Sequence, residues 1–333
     1  MFIVVLIFVV MLMHIYLFWR IASLPWFMSP RRRRQLWIAA LLVWLLFILG
    51  SFLGHGHQGL FASIMERLAM DWLGVLFIAM TVLLTIDLLT GFGLWLLPYL
   101  VQLRAAGLLV AVLMILFAMV QGTRSPVVVQ HEVLLPELPS ELDGATLVSL
   151  SDLHLGSQLG PDWLAERVLQ VAALQPDIIV LLGDNFEGHG EFDPALLPVL
   201  SEFKAKYGVF AVTGNHEHFS DTIMAIEFTE QMGVQWLRNR CLPVAPGLSL
   251  AGVDDLTMHW RNGKAGDFVA PVLEDCPEGA KVLFSHSPLQ VEQAALAGAD
   301  LMLSGHTHGG QIWPFGYLVQ RVYHYLVGRY EVG

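Results

Sequence analysis

The sequence LSGHTHGGQ (residues 303–311) closes an apolar run and places two histidines among glycines. His306 and His308 are separated by one residue, and residues two apart on an extended chain point the same way. Gly305 and Gly309 allow the backbone to turn sharply beside them. The stretch therefore predicts a buried strand whose end presents both imidazoles to one cluster.

Other apolar runs in the second part of the chain also end in polar clusters. These runs are TLVSLSDLH (146–154), DIIVLLGDNFE (177–187), YGVFAVTGNHEH (207–218), LSLAGVDD (248–255) and KVLFSHSP (281–288). Helix-like stretches separate several of them, such as 162–174, which follows the start signals Pro161 and Asp162. Strands that alternate with helices predict an α/β domain, in which ligands gather at the carboxyl ends of the strands.

The polar ends share one kind of donor chemistry. They contain Asp, Asn and His and no cysteine, a set that suits Mn, Fe, Zn, Co or Mg. A single histidine after a strand is most often a core or loop residue, whereas several such ends together favour a shared metal site. Cys241 and Cys276 lie outside any metal-binding spacing. We interpret them as isolated small apolar residues; a disulfide stays open if the domain lies in an oxidising compartment.

The first 121 residues are apolar enough to lie in a membrane. Hydrophobic residues make up 55% of the whole chain, and its mean hydropathy of +0.60 is too high for an ordinary soluble protein. The stretches 1–19, 36–53, 72–97 and 105–120 approach or exceed the ~20 residues that a spanning helix needs. The first lacks a basic start and a cleavage site, so we interpret it as an anchor and not as a signal peptide.

Arginine placement predicts the orientation of these spans. Arg20 and the RRRR run at 31–34 lie between the first two spans, and Arg104 precedes the fourth. The positive-inside rule puts these loops in the cytoplasm. Four spans then leave the N-terminus and the large C-terminal domain outside the cytoplasm. If stretch 72–97 does not cross, the domain lies in the cytoplasm, whereas loss of stretch 1–19 as a span leaves it outside.

Polar residues within and beside the spans have two interpretations each. Asp87 lies in the third span, where a carboxylate is costly and often functional. The favoured interpretation is that Asp87 is protonated or hydrogen-bonded and faces another helix. The rival interpretation of the protein, a transporter with a regulatory soluble domain, rests mainly on Asp87. His55 and His57 are interpreted as part of a polar turn and not as metal ligands.

Charge separates the two parts of the chain. The first 121 residues hold 7 Lys and Arg against 3 Asp and Glu, and the remainder holds 11 against 26, a formal charge of −15. A surface that negative repels a nucleic-acid backbone. We therefore expect no nucleic-acid partner.

The motifs of the second part together resemble the calcineurin-like metallophosphoesterase superfamily. The matching pieces occur in the family's order: DLH (152–154), GDNFE (183–187), GNHE (214–217), SHSP (285–288) and GHTHGG (305–310). Each motif alone is a weak signal, but five in order are a strong one. The longer form GHTHGGQIWPFG (305–316) is similar to the membrane-attached bacterial branch, whose relatives include enzymes similar to UDP-2,3-diacylglucosamine diphosphatases.

Composition and resemblance together imply an α-helical membrane domain of four spans followed by an α/β four-layer metallophosphoesterase sandwich with two mixed sheets. The expected limits are 1–121 for the transmembrane domain, 122–145 for a linker and entry segment, and 146–333 for the phosphoesterase domain. Relatives usually continue beyond GRYEVG (328–333) through another strand, so a C-terminally truncated domain is expected. Segment 313–328 is interpreted as a helix packed on the sandwich; insertion into the bilayer surface is the alternative.

The resemblance also implies two divalent metal ions that share one carboxylate. One ion would be held by Asp152, His154, Asp184 and His308, and the other by Asp184, Asn215, His286 and His306. Such ions, about 3.5–4 Å apart, clamp a phosphoryl displacement and make hydroxide available near neutral pH. His216 would face the substrate as an acid or hydrogen-bond donor. Glu187 stands where many relatives have Asp, and Glu217 and His218 are weaker candidates for the site.

The implied activity is that of a membrane-anchored, dinuclear metal-dependent phosphoesterase with Asp184 and His216 as catalytic residues. Its expected substrate is a phosphomonoester, phosphodiester or pyrophosphate, lipid-linked substrates included. The expected location is the bacterial cell membrane, with the lipid bilayer as a partner and the catalytic domain extracytoplasmic. A metal-binding membrane sensor or scaffold that has lost turnover is the alternative.

Overall fold

Four long helices build the first part of the chain. The computed structural model describes residues 2–54, 59–156, 158–187, 193–218, 222–312 and 315–333, and it divides into two compact units, Met1–His131 and Glu132–Gly333. The first unit contains α1 (Phe2–Ala22), α2 (Pro30–Gly54), α3 (Leu60–Leu89) and α4 (Leu100–Gly122). All four are long and apolar enough to cross a membrane, which confirms the four predicted apolar helices. The domain limits 1–121, 122–145 and 146–333 stay a prediction.

The helix ends differ from the predicted spans for local reasons. The third helix ends at Leu89 and not at residue 97, because Gly91 and Gly93 with positive φ follow it. The second helix begins at Pro30, before its apolar part, because proline suits the first turn and arginine is a good helix former. His55 and His57, predicted to lie in a polar turn, fall outside the described residues.

A buried cluster of charged side chains surrounds Asp87. Its carboxylate is fully buried and accepts a hydrogen bond of 2.5 Å from the Tyr16 hydroxyl. Arg104 donates to one carboxylate oxygen at 2.9 Å, and Nε of Arg20 lies 2.5 Å from the other. Asp87 thus links α1, α3 and α4 through contacts with other helices, which agrees with the hydrogen-bonded interpretation.

We expect Asp87→Ala to lower the free energy of unfolding of the helical unit by about 3–5 kcal/mol, because it leaves two buried guanidinium groups without their shared carboxylate. Thermal unfolding in detergent measures the change. Asp71 lies exposed on the same helix, so Asp71→Ala is the matched control and should stay within about 0.5 kcal/mol of the parent. Equal unfolding of the two variants would contradict a stabilising role for the cluster.

Two four-stranded sheets form the centre of the second unit. The first has the order β1 (Leu147–Leu150), β2 (Ile178–Leu181), β3 (Val209–Ala211), β4 (Val234–Trp236). The second has the order β5 (Arg240–Ala245), β6 (Leu248–Gly252), β7 (Ala280–Phe284), β8 (Leu301–Leu303). The second sheet is mixed, with β5 antiparallel to β6, whereas the described strands of the first are parallel throughout and not mixed as the resemblance implied.

Alternation along β2 shows how the sheets are layered. Ile178 and Val180 belong to the core shared with the second sheet, whereas Ile179 and Leu181 pack with helices of the first. The helices over the first sheet are α5 (Pro161–Ala172), α6 (Leu196–Leu200) and α7 (Thr222–Gln231). Those over the second are α8 (Leu256–Arg261), α9 (Ala270–Glu274) and α10 (Val291–Leu296). Helix, sheet, sheet and helix make the expected four-layer α/β sandwich.

A disulfide joins Cys241 on β5 to Cys276, with a Cα–Cα distance of 5.4 Å. The favoured interpretation of two isolated apolar cysteines is therefore wrong. The two residues are 35 positions apart, and their proximity depends on the packing of α9 against the second sheet, which spacing alone does not reveal.

The segment after the last strand is less helical than predicted. Of residues 313–328, the described part contains one short helix, α11 (Gly316–Val319), and Trp313 and Pro314 lie outside the described residues. The segment contacts the loop after β8, where the Thr307 hydroxyl donates to the Leu326 carbonyl at 2.5 Å.

Candidate metal centre

The seven predicted ligands all follow the carboxyl ends of parallel strands. Asp152 and His154 come after β1, Asp184 after β2, Asn215 after β3, His286 after β7, and His306 and His308 after β8. Both sheets therefore deliver donors to the same edge of the sandwich, as expected for a ligand site in an α/β fold.

The structure brings six of these side chains into two compact groups. Asp152, His154 and His308 offer ligand atoms within 4.8 Å of one another, and so do Asp184, His286 and His306. A further group of the same size joins His154 and Asp184 to His216. Asp184 thus lies between the two sets of donors, where a shared carboxylate is needed.

The contacts of His286 show which ring nitrogen faces the site. Its Nδ1 donates to the Leu182 carbonyl at 2.8 Å, so Nε2 is the nitrogen that faces the site. Nε2 lies 3.1 Å from Asp184 Oδ2 and 3.2 Å from Nδ1 of His306. Bond lengths of about 2.0–2.1 Å to a divalent ion suit two nitrogens at this separation. The donor geometry therefore fits a metal ion.

Asn215 supplies an independent test of the fit. Its Oδ1 atom is buried and, within the described part of the chain, has no hydrogen-bond partner. A buried amide oxygen is costly to leave without a partner, and a hard divalent cation would satisfy it. The Asn215 oxygen thus supports its predicted place beside Asp184, His286 and His306.

The backbone at the site is held in an unusual conformation. Five of the seven candidate ligands have positive φ angles: 56° at Asp152, 44° at His154, 48° at Asp184, 69° at His306 and 47° at His308. Each such residue costs on the order of 1–3 kcal/mol, a cost that proteins retain mostly at functional sites. The strand-end turns are therefore shaped for the positions of these side chains.

Glu217 organises two of the ligand loops from below the site. Its buried carboxylate accepts hydrogen bonds from the backbone N–H groups of Asp184, Asn185, Phe186 and Gly214, at 2.6–3.3 Å. This structural role of Glu217 is not predicted from the sequence, where its place inside the GNHE motif (214–217) is the one signal for it. The carboxylate fastens the loop after β2 to the loop after β3.

Burial and the neighbouring charges shift the pKa values of three side chains in the site. Burial acts to lower the pKa of His286, but its hydrogen bond to Asp184 and the charges of Asp184 and Asp152 raise it to about 9. Burial opposes the ionisation of Asp152, yet its hydrogen bond to His308 and the charge of His286 lower its pKa. Burial and the neighbouring His216 lower the pKa of His154 to about 4.

These pKa shifts predict that the apparent metal affinity rises with pH. His286 of the metal-free domain is protonated below its pKa of about 9, and a ligand imidazole must be neutral, so binding expels its proton. We expect about a tenfold gain per pH unit from this proton up to the pKa of His286, then a plateau. His154, neutral far below this range, adds no slope. Calorimetric Mn²⁺ titrations at several pH values measure this dependence. An Mn²⁺ affinity that does not change with pH below pH 9 would contradict the assignment of His286 as a metal ligand.

A cavity of about 400 Å³ adjoins the candidate ligands His306 and His308. The rest of its described lining comes from the same segment after β8. The apolar lining residues among those described are Ile312, Phe315 and Val319, and Tyr323 adds a hydroxyl. The site therefore opens beside a largely apolar pocket.

The α/β sandwich and the paired donor groups at its strand ends define a metal-dependent phosphoesterase domain. Residues 145–310 match the family model described as calcineurin-like phosphoesterase. Among similar proteins, an uncharacterized metallophosphoesterase of Aquifex aeolicus is 32% identical over 178 residues, which cover 53% of this chain and 67% of the relative. The chain belongs to the calcineurin-like phosphoesterase family.

Two further relatives extend the similarity beyond the family match. A zebrafish (Danio rerio) protein, named transmembrane protein with metallophosphoesterase domain, is 31% identical over 236 residues, or 68% of this chain and 54% of the relative. An uncharacterized metallophosphoesterase of Helicobacter pylori is 30% identical over 212 residues, or 63% of this chain and 56% of the relative. The chain thus spans little more than half the length of these two relatives.

Proposed function

We propose that this protein is a membrane-anchored phosphoesterase that uses two divalent metal ions. The observation that carries the proposal is the position of Asp184, whose carboxylate lies within 4.8 Å of donor atoms from both groups, His154 of one and His286 and His306 of the other. The predicted ligand set supports one ion at Asp152, His154, Asp184 and His308, and a second at Asp184, Asn215, His286 and His306. When bound, the ions would supply an activated water and offset the charge of the phosphoryl group.

The protein's own side chains have separate tasks in this proposal. The Asp184 carboxylate is held on both sides, because its Oδ1 accepts the His216 backbone N–H at 2.8 Å and its Oδ2 lies 3.1 Å from His286. These contacts restrain the carboxylate between the two donor groups, where it would serve both ions.

His216 is the proposed contact to the substrate. Its Nδ1 lies 2.6 Å from the Glu187 carbonyl, which fixes the ring orientation and places the proton on that nitrogen. The ring stands edge-on to His154 at a centroid distance of 4.6 Å. With a proton on Nε2 as well, His216 would bind a phosphoryl oxygen or donate that proton to the leaving oxygen.

The apolar cavity supports a substrate with an apolar group close to its phosphate. Ile312, Phe315 and Val319 line the pocket next to His306 and His308. The apolar group of a lipid-linked phosphoester or pyrophosphate would pack against these side chains, which a soluble sugar phosphate has no apolar group to do. We therefore propose a lipid-linked substrate, as in the branch that the GHTHGGQIWPFG sequence resembles.

The proposed location of the phosphoesterase domain is outside the cytoplasm, in the bacterial cell membrane. The arginines at 20, 31–34 and 104 favour cytoplasmic loops under the positive-inside rule. The Cys241–Cys276 disulfide is an independent argument, because such bonds persist in oxidising compartments. Protease treatment of oriented membrane vesicles tests this proposal: cleavage of the domain in inside-out vesicles alone would contradict it.

A metal-supplemented screen of phosphate esters on the purified full chain tests the activity. The panel includes phosphomonoesters, phosphodiesters and lipid-linked pyrophosphates, each assayed with Mn²⁺ and after chelation. We expect Mn²⁺-dependent release of phosphate or of the leaving group, fastest for lipid-linked substrates. Bound metal without turnover on any member would overturn the proposal and favour a metal-binding sensor or scaffold.

A further inference from the structure

We propose that Tyr323 is a positioning residue of the metal centre, which holds His306 in the tautomer that presents Nδ1 to the second ion. Tyr323 lies beyond residue 310, where the family match ends. The inference rests on the proposed two-ion site. It assigns a task in that site to the segment after β8.

The two ring nitrogens of His306 have different surroundings. Nδ1 faces the site, 3.2 Å from Nε2 of His286. Nε2 points the other way and lies 2.7 Å from the hydroxyl of Tyr323. The two rings stand edge-on with centroids 5.0 Å apart. A proton on Nε2, donated to the Tyr323 oxygen, leaves the lone pair of Nδ1 for a metal ion.

Other histidines at the site are oriented by backbone carbonyls. His286 is held by Leu182 and His216 by Glu187, each through Nδ1. These carbonyls belong to the loops and strands of the sandwich itself. His306 instead uses a side chain from the segment after β8, so its orientation depends on how that segment packs.

The Tyr323 hydroxyl is itself held near the outer helices. It lies 3.4 Å from the Thr257 hydroxyl of α8, and the residue is half-buried. The Leu326 carbonyl accepts a hydrogen bond from Thr307, the residue between His306 and His308. The Tyr323–His306 and Leu326–Thr307 contacts therefore join the last segment to the loop that carries both histidines.

The test is Mn²⁺ binding by Tyr323→Phe, which removes one oxygen and keeps the ring. Titration calorimetry and electron paramagnetic resonance on the full chain count the ions and show whether they are coupled. We expect one of the two Mn²⁺ affinities to fall by about 10–100-fold, the usual cost of losing a partner of a metal-bound histidine, with the other unchanged. Raised Mn²⁺ should restore turnover of the variant.

Tyr325→Phe is the matched control. Tyr325 lies two residues further on and donates its hydroxyl to Glu292, not to a candidate ligand. This variant should bind two Mn²⁺ ions as tightly as the parent. Nitrogen NMR of histidine-labelled protein reports the tautomer of His306 directly, and it should change in Tyr323→Phe alone.

Unchanged affinity for both ions in Tyr323→Phe would overturn the inference, and so would an equal loss of both. Failure of the proposed function looks different, because the parent protein itself would then bind fewer than two ions or hydrolyse no phosphate ester. A parent that binds two ions without turnover would contradict the phosphoesterase proposal and leave the role of Tyr323 testable by the same titration.

Discussion

Asp184→Ala is expected to lower phosphoester turnover by about a thousandfold or more, because the stabilisation of several kcal/mol that paired ions give a phosphoryl transfer would be lost. The carboxylate lies between both donor groups and is held by the His216 backbone and by His286. Alanine removes the shared ligand and leaves His286 without its carboxylate partner. The bound metal should fall from two ions to one or none, measured by elemental analysis after gel filtration, with turnover of a chromogenic phosphodiester as the second readout.

Two further variants distinguish the loss of the shared ligand from a general loss of negative charge. Asp184→Asn keeps the shape and one oxygen but lowers the negative charge, so we expect partial metal binding and a smaller loss of turnover. Asp143 is exposed on the same unit, and Asp143→Ala should behave as the parent. Full turnover by Asp184→Ala would rule out the two-ion mechanism, whatever the metal content.

Glu217→Ala is expected to destabilise the second unit by about 4 kcal/mol or more, because four buried backbone N–H groups lose their acceptor at about 1–3 kcal/mol each. For a unit of this size the melting temperature should fall by roughly 8 °C or more. Calorimetry of the metal-depleted protein measures it, so that weaker metal binding cannot be the cause. With Mn²⁺ present, affinity should fall as well, because the loops of Asp184 and Asn215 are no longer joined.

Glu217→Gln distinguishes the charge of this side chain from its shape. The glutamine amide places an NH₂ group against N–H donors, so we expect a loss of stability nearly as large as that of alanine. Glu202 is exposed on the same unit, and Glu202→Ala should change the melting temperature little. Equal melting temperatures for Glu217→Ala and Glu202→Ala would show that water replaces the carboxylate without cost.

The part of the site that could be predicted from the sequence lies on strand ends. Parallel strands bring their carboxyl ends to one edge, so the order of DLH, GDNFE, GNHE, SHSP and GHTHGG already indicates which side chains meet. Asp152 and His154, two residues apart, face one group, whereas His306 and His308, also two residues apart, belong to different groups and not to the single cluster that their spacing predicted. Their roles as ligands remain a prediction, although their convergence needs nothing beyond sheet geometry.

The contacts that could not be predicted from the sequence depend on packing between segments that are far apart in the chain. Glu217 shares a motif with Asn215, yet its carboxylate turns toward the backbone of the loop after β2. Tyr323 contacts His306 from a segment whose sequence has no hydrophobic periodicity that would predict its position. Cys241 and Cys276 are brought together by the packing of a short helix. In each case the sequence shows residue type and spacing, whereas the partner is decided by tertiary structure.

The left-handed backbone of the ligand residues has a consequence for biogenesis of the protein. Each of the five residues must leave its preferred conformation before the donors converge, at a cost of on the order of 1–3 kcal/mol. Ion uptake can supply that free energy, which couples acquisition of the ions to the last step of maturation. We expect a cell starved of the native metal to accumulate a domain whose ligand loops are sensitive to protease, although its sheets and the membrane anchor are folded.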